Sequence, residues 1–210
     1  MSGHKAPLTF RTAATVACFA AFRAFSRSMP RLFVALVPPV PVRSELATLA
    51  APLPGVRWTP EDNLHLTLRF IGETDEVKQE RFAQALASLR VEPFILPVGD
   101  VGLFPSRGPA KVLWAGVGHG HTRLYQLRKQ VDEALLSVAP GLAVPGFHPH
   151  FTVGRIGENY DAKSLAHFLE RHAGFEAPPF RVTEAHLMAS ELTPGRPPVY
   201  RIERTFPLSA

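Results

Sequence analysis

From about residue 31 onward, apolar positions recur along this chain with two different periods, one typical of strands and one typical of helices. Apolar residues that run on or alternate predict strands, and apolar residues at every third or fourth position predict amphipathic helices. The predicted strands are 31–36, 64–71, 94–103, 111–117, 150–156, 180–190 and 199–207, and the predicted helices are 42–51, 75–90, 121–138 and 161–172. The order strand, helix, strand, helix, strand occurs twice, which predicts an α+β protein built by internal duplication.

Two segments of this repeat are alike residue by residue. Residues 65–73 read HLTLRFIGE, and residues 150–158 read HFTVGRIGE, 85 positions further on. Because residues i and i+2 of a strand point to the same face, each segment presents one histidine beside one threonine. Two such pairs facing each other across a cleft would suit acid and base chemistry on a phosphate.

The alternation also predicts where the neighbouring arginines point. Arg69 falls on the face of His65, where it would either bind phosphate or lie at the rim of the sheet without a ligand. Phe70 falls on the buried face. Arg155 falls on the face away from His150, so it reaches that face only if the strand ends or twists near Gly154.

Composition indicates a globular protein with a local phosphate ligand. Apolar residues make up 46% and charged residues 20% of the 210 residues. Four of the 23 basic residues, and none of the 18 acidic ones, precede Met29, so the remainder carries 19 basic residues against 18 acidic ones. A protein that follows a nucleic acid backbone needs a larger positive excess, so the end of a strand or a small phosphate ester fits better.

Residues 1–28 stand apart from the predicted domain at 29–210. This extension is rich in Ala, Ser, Phe and Arg, and its apolar run at 13–22 is too short to span a bilayer. It is interpreted either as a disordered tail or start-site artefact, or as a targeting segment. Its Cys18 is the only cysteine, which excludes an internal disulfide framework and suits a reducing compartment such as the cytoplasm.

Four segments together resemble one known family. They are RLFVAL with the proline-rich turn after it, RWTPEDNLHLTLRFIGE, LFPSRGPAKVLWAGV and FHPHFTVGRIG. They resemble the two-histidine (2H) phosphoesterase superfamily, and within it the RNA 2′,3′-cyclic phosphodiesterases, also described as 2′-5′ RNA ligase-like proteins. The resemblance covers about Met29 to the C-terminus. It implies a bilobal fold with two mostly antiparallel sheets flanking a central cleft, helices outside, and neither a metal nor a cofactor.

The resemblance also implies an activity and its residues. The activity is hydrolysis of an RNA 2′,3′-cyclic phosphate end to a 2′-phosphomonoester, with 2′-5′ ligation as the reverse type of reaction. His65 would be the proton donor and His150 the proton acceptor, while Thr67, Thr152 and Arg155 would bind the phosphate. Two imidazoles suit this task because their ordinary pKa of about 6.5 lets one be charged and one neutral. The residues alone leave the opposite assignment of acid and base open.

Two other functions stay open from the residues. A non-catalytic module could hold an RNA end in the same cleft, and a metal-dependent phosphohydrolase could use the pairs His119 with His121 and His148 with His150. The expected partners are RNA ends or small cyclic phosphate esters, with no membrane and with the chain acting as a monomer.

Three aromatic residues could stack on a base or belong to the core, namely Trp58, Phe104 and Trp114. The sequence does not decide between these two positions.

Overall fold

The computed structural model describes residues 30–118, 121–191 and 198–210. The N-terminal extension with Cys18, the first histidine of the pair at 119 and 121, and the turn expected at 193–195 lie outside the described residues. Within them the strands are β1 (Arg31–Leu36), β2 (Val56–Trp58), β3 (Leu66–Glu73), β4 (Phe94–Phe104), β5 (Val112–Gly116), β6 (His150–Ile156), β7 (Glu176–Val182), β8 (Glu184–Glu191) and β9 (Val199–Pro207). The helices are α1 (Val40–Ala47), α2 (Glu76–Leu86), α3 (Thr122–Val138) and α4 (Ala162–Arg171).

These strands form an antiparallel sheet in the order β7-β4-β5-β6-β3-β1-β8-β9, with β2 added beside β6. The α+β prediction is therefore confirmed. The two predicted sheets are two arms of this sheet, joined between β3 and β6 by the single residue pair Leu66 and Phe151. Since β7 and β8 lie in different arms but only Thr183 separates them, the sheet must curl until its arms meet there.

The helices predicted over 42–51 and 75–90 end earlier, at Ala47 and Leu86, and one predicted strand was wrong in its extent. The single strand expected over 180–190 is two strands, β7 and β8, which pair with β4 and β1 respectively. The sequence hides the division because the apolar pattern continues across Thr183. β7 begins earlier than expected and includes Pro178 and Pro179. They lie between the pairs Leu96 with Phe180 and Val98 with Ala177, where the register of this edge strand is irregular and residues without an N–H are tolerated.

Two of the helices, α2 and α4, begin at a capping carboxylate. The Asp75 carboxylate accepts a hydrogen bond from Lys78 N at 2.8 Å at the start of α2, and the Asp161 carboxylate accepts from Ser164 N at 3.2 Å at the start of α4. The apolar sides of the helices pack into one buried core with the strands. None of the helices in the described residues is long and apolar enough to cross a bilayer.

The two halves of the duplication exchange elements. β4, the last strand of the first half, pairs with β5 and β7 of the second half. β8 of the second half pairs with β1 of the first. α3, from the second half, packs against α2 and β3 of the first. The two halves are therefore interleaved, and it is the two arms of the sheet, each built from both halves, that meet along β3 and β6.

Candidate active site

The two motif strands meet at their centres. β3 pairs with β6 at Leu66 and Phe151, which are the residues between histidine and threonine in each motif. Both side chains are fully buried in the core, so the histidines and threonines share the other face of the sheet. Continuing the register by one residue places the histidine of each motif opposite the threonine of the other, with Cβ atoms about 5 Å apart. The sequence-predicted quartet is therefore brought together.

Both histidines are oriented by the same kind of bond. His65 Nδ1 lies 2.7 Å from the carbonyl oxygen of Asn63, and His150 Nδ1 lies 2.6 Å from that of His148. A carbonyl oxygen only accepts, so Nδ1 carries a hydrogen in each ring. The bond leaves each Nε2 available to a ligand, as a base when the ring is neutral and as an acid when it is charged.

The surroundings lower the pKa of both imidazoles. Burial is the largest cause for His65, and the charges of His150 and Arg155 lower its pKa further, while the bond to the Asn63 carbonyl raises it. Burial is also the largest cause for His150, followed among the lowering effects by His148 and Arg155. The unliganded site therefore favours neutral rings, and an anionic ligand would favour protonation by opposing these positive charges.

A β-bulge in the first motif strand overturns two predictions of orientation. Between the pairs Ala35 with Thr67 and Val34 with Arg69, β3 contains one extra residue, Leu68. The extra residue reverses the alternation beyond it. Arg69, expected on the face of the histidine, is only 1% exposed on the core side, and Phe70, expected in the core, is 69% exposed.

The second motif strand has a bulge at the equivalent position. Val153 is the extra residue between the pairs Trp114 with Thr152 and Leu113 with Gly154. Beyond it the alternation is reversed, so Arg155 lies on the face of the histidines and not away from it. The bulge lies directly before Gly154, which is where the strand was required to end or twist if Arg155 was to reach the face of His150.

Arg69 belongs to a buried ionic cluster and takes neither of the two positions expected for it. Its Nε lies 3.4 Å from Oδ1 of Asp132 on α3, and the other oxygen of Asp132 accepts from Arg128 Nε at 2.7 Å. Arg128 also donates to the carbonyl oxygen of Leu68, the bulge residue. The cluster therefore ties α3 to the bulge that turns Phe70 outward.

Aromatic side chains line the site beside His65. The rings of Phe33 and Tyr200 each lie 5.0 Å from the imidazole, measured between centroids, and 5.4 Å from each other. Burial raises the pKa of the Tyr200 phenol, whereas the neighbouring Arg155 lowers it. Tyr200 was missed by sequence reasoning because it lies on β9, outside both motifs, and only the folded sheet brings it near.

The three aromatic residues left undecided by the sequence separate into two groups. Phe104 packs edge-on against His150 with a centroid distance of 5.0 Å, and Trp114 packs behind it at 5.3 Å. Trp58 belongs to the core, since its ring packs against Phe168 and its Nε1 donates to the carbonyl oxygen of Ala51 at 2.7 Å. Phe104 is thus the one in contact with a motif histidine.

The further histidines that lie within the described ranges do not gather into a cluster. His148 offers its backbone carbonyl to His150, and His121 lies at the start of α3. Over the residues that the structure describes, no group of three His, Cys, Asp or Glu side chains is placed to hold a metal ion.

Comparison with known proteins agrees with this geometry. A family model described as LigT like phosphoesterase matches residues 36–114 and again 117–199, so each half with its motif matches once. The RNA 2′,3′-cyclic phosphodiesterase of Aeropyrum pernix is 32% identical over 160 residues, which cover 76% of this chain and 89% of the relative. The apo crystal structure of E. coli LigT has a TM-score of 0.70 and 26% identity, covering 87% of this chain and all of that one. E. coli LigT complexed with 3′-AMP has a TM-score of 0.69 and 26% identity, covering 86% and 99% of the two chains. The resemblance found in the sequence is thus confirmed, and the chain belongs to the LigT-like phosphoesterase family of the two-histidine superfamily.

Proposed function

We propose that this protein is an RNA 2′,3′-cyclic phosphodiesterase that opens the cyclic phosphate at an RNA end to a 2′-phosphomonoester without a metal ion. A relative carries that name, and a structural neighbour was crystallised with a nucleotide. The observation that carries the proposal is the matched orientation of His65 and His150. Each ring is held through Nδ1, which leaves Nε2 available to a substrate, and the register sets each histidine beside the other motif's threonine.

In the proposed reaction water attacks phosphorus while His150 Nε2 accepts its proton. The bond from phosphorus to the 3′-oxygen breaks, and the proton on His65 Nε2 passes to that oxygen. The product carries a 2′-phosphate and a free 3′-hydroxyl, and a proton exchange with solvent restores the two rings. An RNA 5′-hydroxyl in place of water would form a 2′-5′ linkage by the same steps.

The negative charge of the phosphate is held by three further side chains. The hydroxyls of Thr67 and Thr152 donate to the non-bridging oxygens, where charge increases in the transition state. Arg155 adds a charged hydrogen bond, for which its position on the face of the histidines supplies the geometry. The exposed ring of Phe70 offers a surface on which the terminal base stacks.

One chain supplies both motifs, so the site is complete in a monomer. We accordingly propose that residues 29–210 act as a single bilobal catalytic domain in the cytoplasm, with RNA ends or small cyclic phosphate esters as substrates and no cofactor.

The decisive experiment is incubation of the purified protein with RNA that ends in a 2′,3′-cyclic phosphate, in the presence of EDTA. The expected product is the 2′-phosphate at the rate found without EDTA. Loss of turnover in EDTA that returns with a divalent cation would establish a metal-dependent phosphohydrolase instead. Binding of the RNA without turnover would establish a binding module.

A further inference from the structure

A second arginine, Arg57, lies beside Arg155 on the face that carries the motif histidines. β2 pairs with β6 so that Arg57 is directly opposite Arg155, and directly opposed residues of antiparallel strands point to the same face. Its neighbours Val56 and Trp58 point the other way and pack against the core. A Cβ on Gly154 would lie 3.0 Å from Val56 Cγ1, so β2 is held closely against β6. Arg57 therefore faces the candidate site.

The register places Arg57 and Arg155, two like charges, at neighbouring positions of the sheet, and Arg155 also lies beside the Tyr200 hydroxyl, whose pKa burial raises and Arg155 lowers. Directly opposed like charges destabilise a sheet. The ion pairs found among the described residues include neither Arg57 nor Arg155. An anion bound beside them would remove the repulsion, and guanidinium groups match phosphate in charge and geometry.

The position of Arg57 separates it from the reacting phosphate. The row of Arg57 and Arg155 lies two residue steps along the sheet from Thr152, about 7 Å, and Arg57 is one strand further to the side, about 4.8 Å. Arg155 lowers the pKa of both motif histidines, but Arg57 is not among the charges that do so. The offset is comparable with the spacing of successive phosphates in single-stranded RNA.

The side of the site formed by β1, β3 and β9 is aromatic. It presents the rings of Phe33, Phe70 and Tyr200, which suit a base or sugar and carry no positive charge. Of these two sides of the site, the side of β2 is the one that offers Arg57, so a polynucleotide whose last nucleotide occupies the site would find a positive charge there.

We propose that Arg57 binds the phosphodiester that joins the terminal nucleotide of the substrate to the preceding one. The preferred substrate is then the end of an RNA oligonucleotide and not a free cyclic mononucleotide, whose only phosphate is the reacting one. This inference rests on the proposed function, and it adds the substrate class that the same site selects.

The test compares two substrates, adenosine 2′,3′-cyclic phosphate and a pentanucleotide that ends in the same group. For the wild-type protein kcat/KM is expected to be higher for the pentanucleotide. Arg57→Gln should lower the ratio of the two kcat/KM values about tenfold, the effect of losing one hydrogen bond to a charged group. The plot of log(kcat/KM) against log salt for the pentanucleotide should become shallower by about 0.7, the value for one phosphate contact on a single strand.

Arg181→Gln is the matched control, since Arg181 is an exposed arginine on β7, at the far edge of the same arm and three strands away from β6. It should leave both the ratio and the salt slope as in the wild type. An unchanged ratio in Arg57→Gln, with both substrates still hydrolysed, would overturn the subsite alone. Failure of the wild-type protein to hydrolyse either substrate would overturn the proposed function itself.

Discussion

The strands β3 and β6 carry the same motif, and they agree up to the bulge and differ beyond it. In both, Nδ1 of the histidine lies next to a carbonyl two residues earlier, and the fourth residue of the motif is the extra residue of a bulge. Beyond the bulge, Arg69 corresponds to Gly154 on the core side and Phe70 to Arg155 on the site side. The shared part positions the two imidazoles that we propose to transfer protons. The divergent part gives the site one aromatic wall and one cationic wall.

Exchanging histidine for alanine tests the shared part most severely. His65→Ala and His150→Ala should each lower kcat by about 10² to 10⁴, the usual contribution of a positioned acid or base. The two roles are separated by a substrate whose 3′-bridging oxygen is replaced by sulfur, because a thiolate leaves without being protonated. Such a substrate should restore turnover in His65→Ala only. Restoration in His150→Ala instead would mean that the roles of acid and base are reversed.

Removing Asp132 from the buried ionic cluster tests what Arg69 contributes in β3, where β6 has Gly154 at the equivalent position. Asp132→Leu leaves Arg69 and Arg128 buried without their carboxylate, and should lower the free energy of unfolding by about 3 to 5 kcal/mol, measured by urea denaturation. Adding Arg69→Met should recover part of this loss because it removes one of the unpaired charges.

Glu133→Leu is the control for that experiment. The neighbouring Glu133 pairs with Lys129 on the exposed side of the same helix, so its loss should change stability by less than about 0.5 kcal/mol. An equal effect of the two leucine substitutions would show that the buried cluster contributes no more than a surface ion pair.

The threonines test how far the symmetry of the motif extends. Thr67→Val and Thr152→Val keep the shape of the side chain and remove the hydroxyl, so each should lower kcat by about 10². Steady-state kinetics should find losses of similar size, since each threonine lies opposite the other motif's histidine. A loss confined to one of them would place the phosphate in only one half of the site.

Arg155→Gln tests the divergent part and should have the smallest effect on rate, about 10-fold to 100-fold in kcat/KM. The positive charge of Arg155 lowers the pKa of both His65 and His150, so its removal raises both. Both limbs of a bell-shaped profile of kcat/KM against pH should therefore move to higher pH. The control Arg181→Gln should leave the profile in place, and a profile equally unmoved in Arg155→Gln would show that its charge does not act on the histidines.

The sequence predicted what depends on local pattern. The alternation around His65 and His150 identified both motif strands, and the repeated order of elements indicated that the two His-Thr pairs would face each other across a cleft. The pairing of the two strands within one sheet was not predicted. The bulges could not be read in this way, since Leu68 and Val153 look like ordinary apolar strand residues. The repeat itself contained a usable signal, because Phe70 holds the place of Arg155 and must share its orientation. Tyr200 and β2 depend on long-range packing, and no local pattern identifies them.

The exchange of strands between the halves has a consequence for descent. In this protein β4 pairs only with strands of the second half, β5 and β7. A shorter chain that consisted of the first half alone would therefore leave its last strand without a hydrogen-bonded neighbour. Two copies of such a chain could complete their sheets by exchanging strands, which would give a symmetric dimer with two identical walls. Once the two copies were joined in one chain, their sequences could diverge, and the equivalent positions Phe70 and Arg155 now carry different residues.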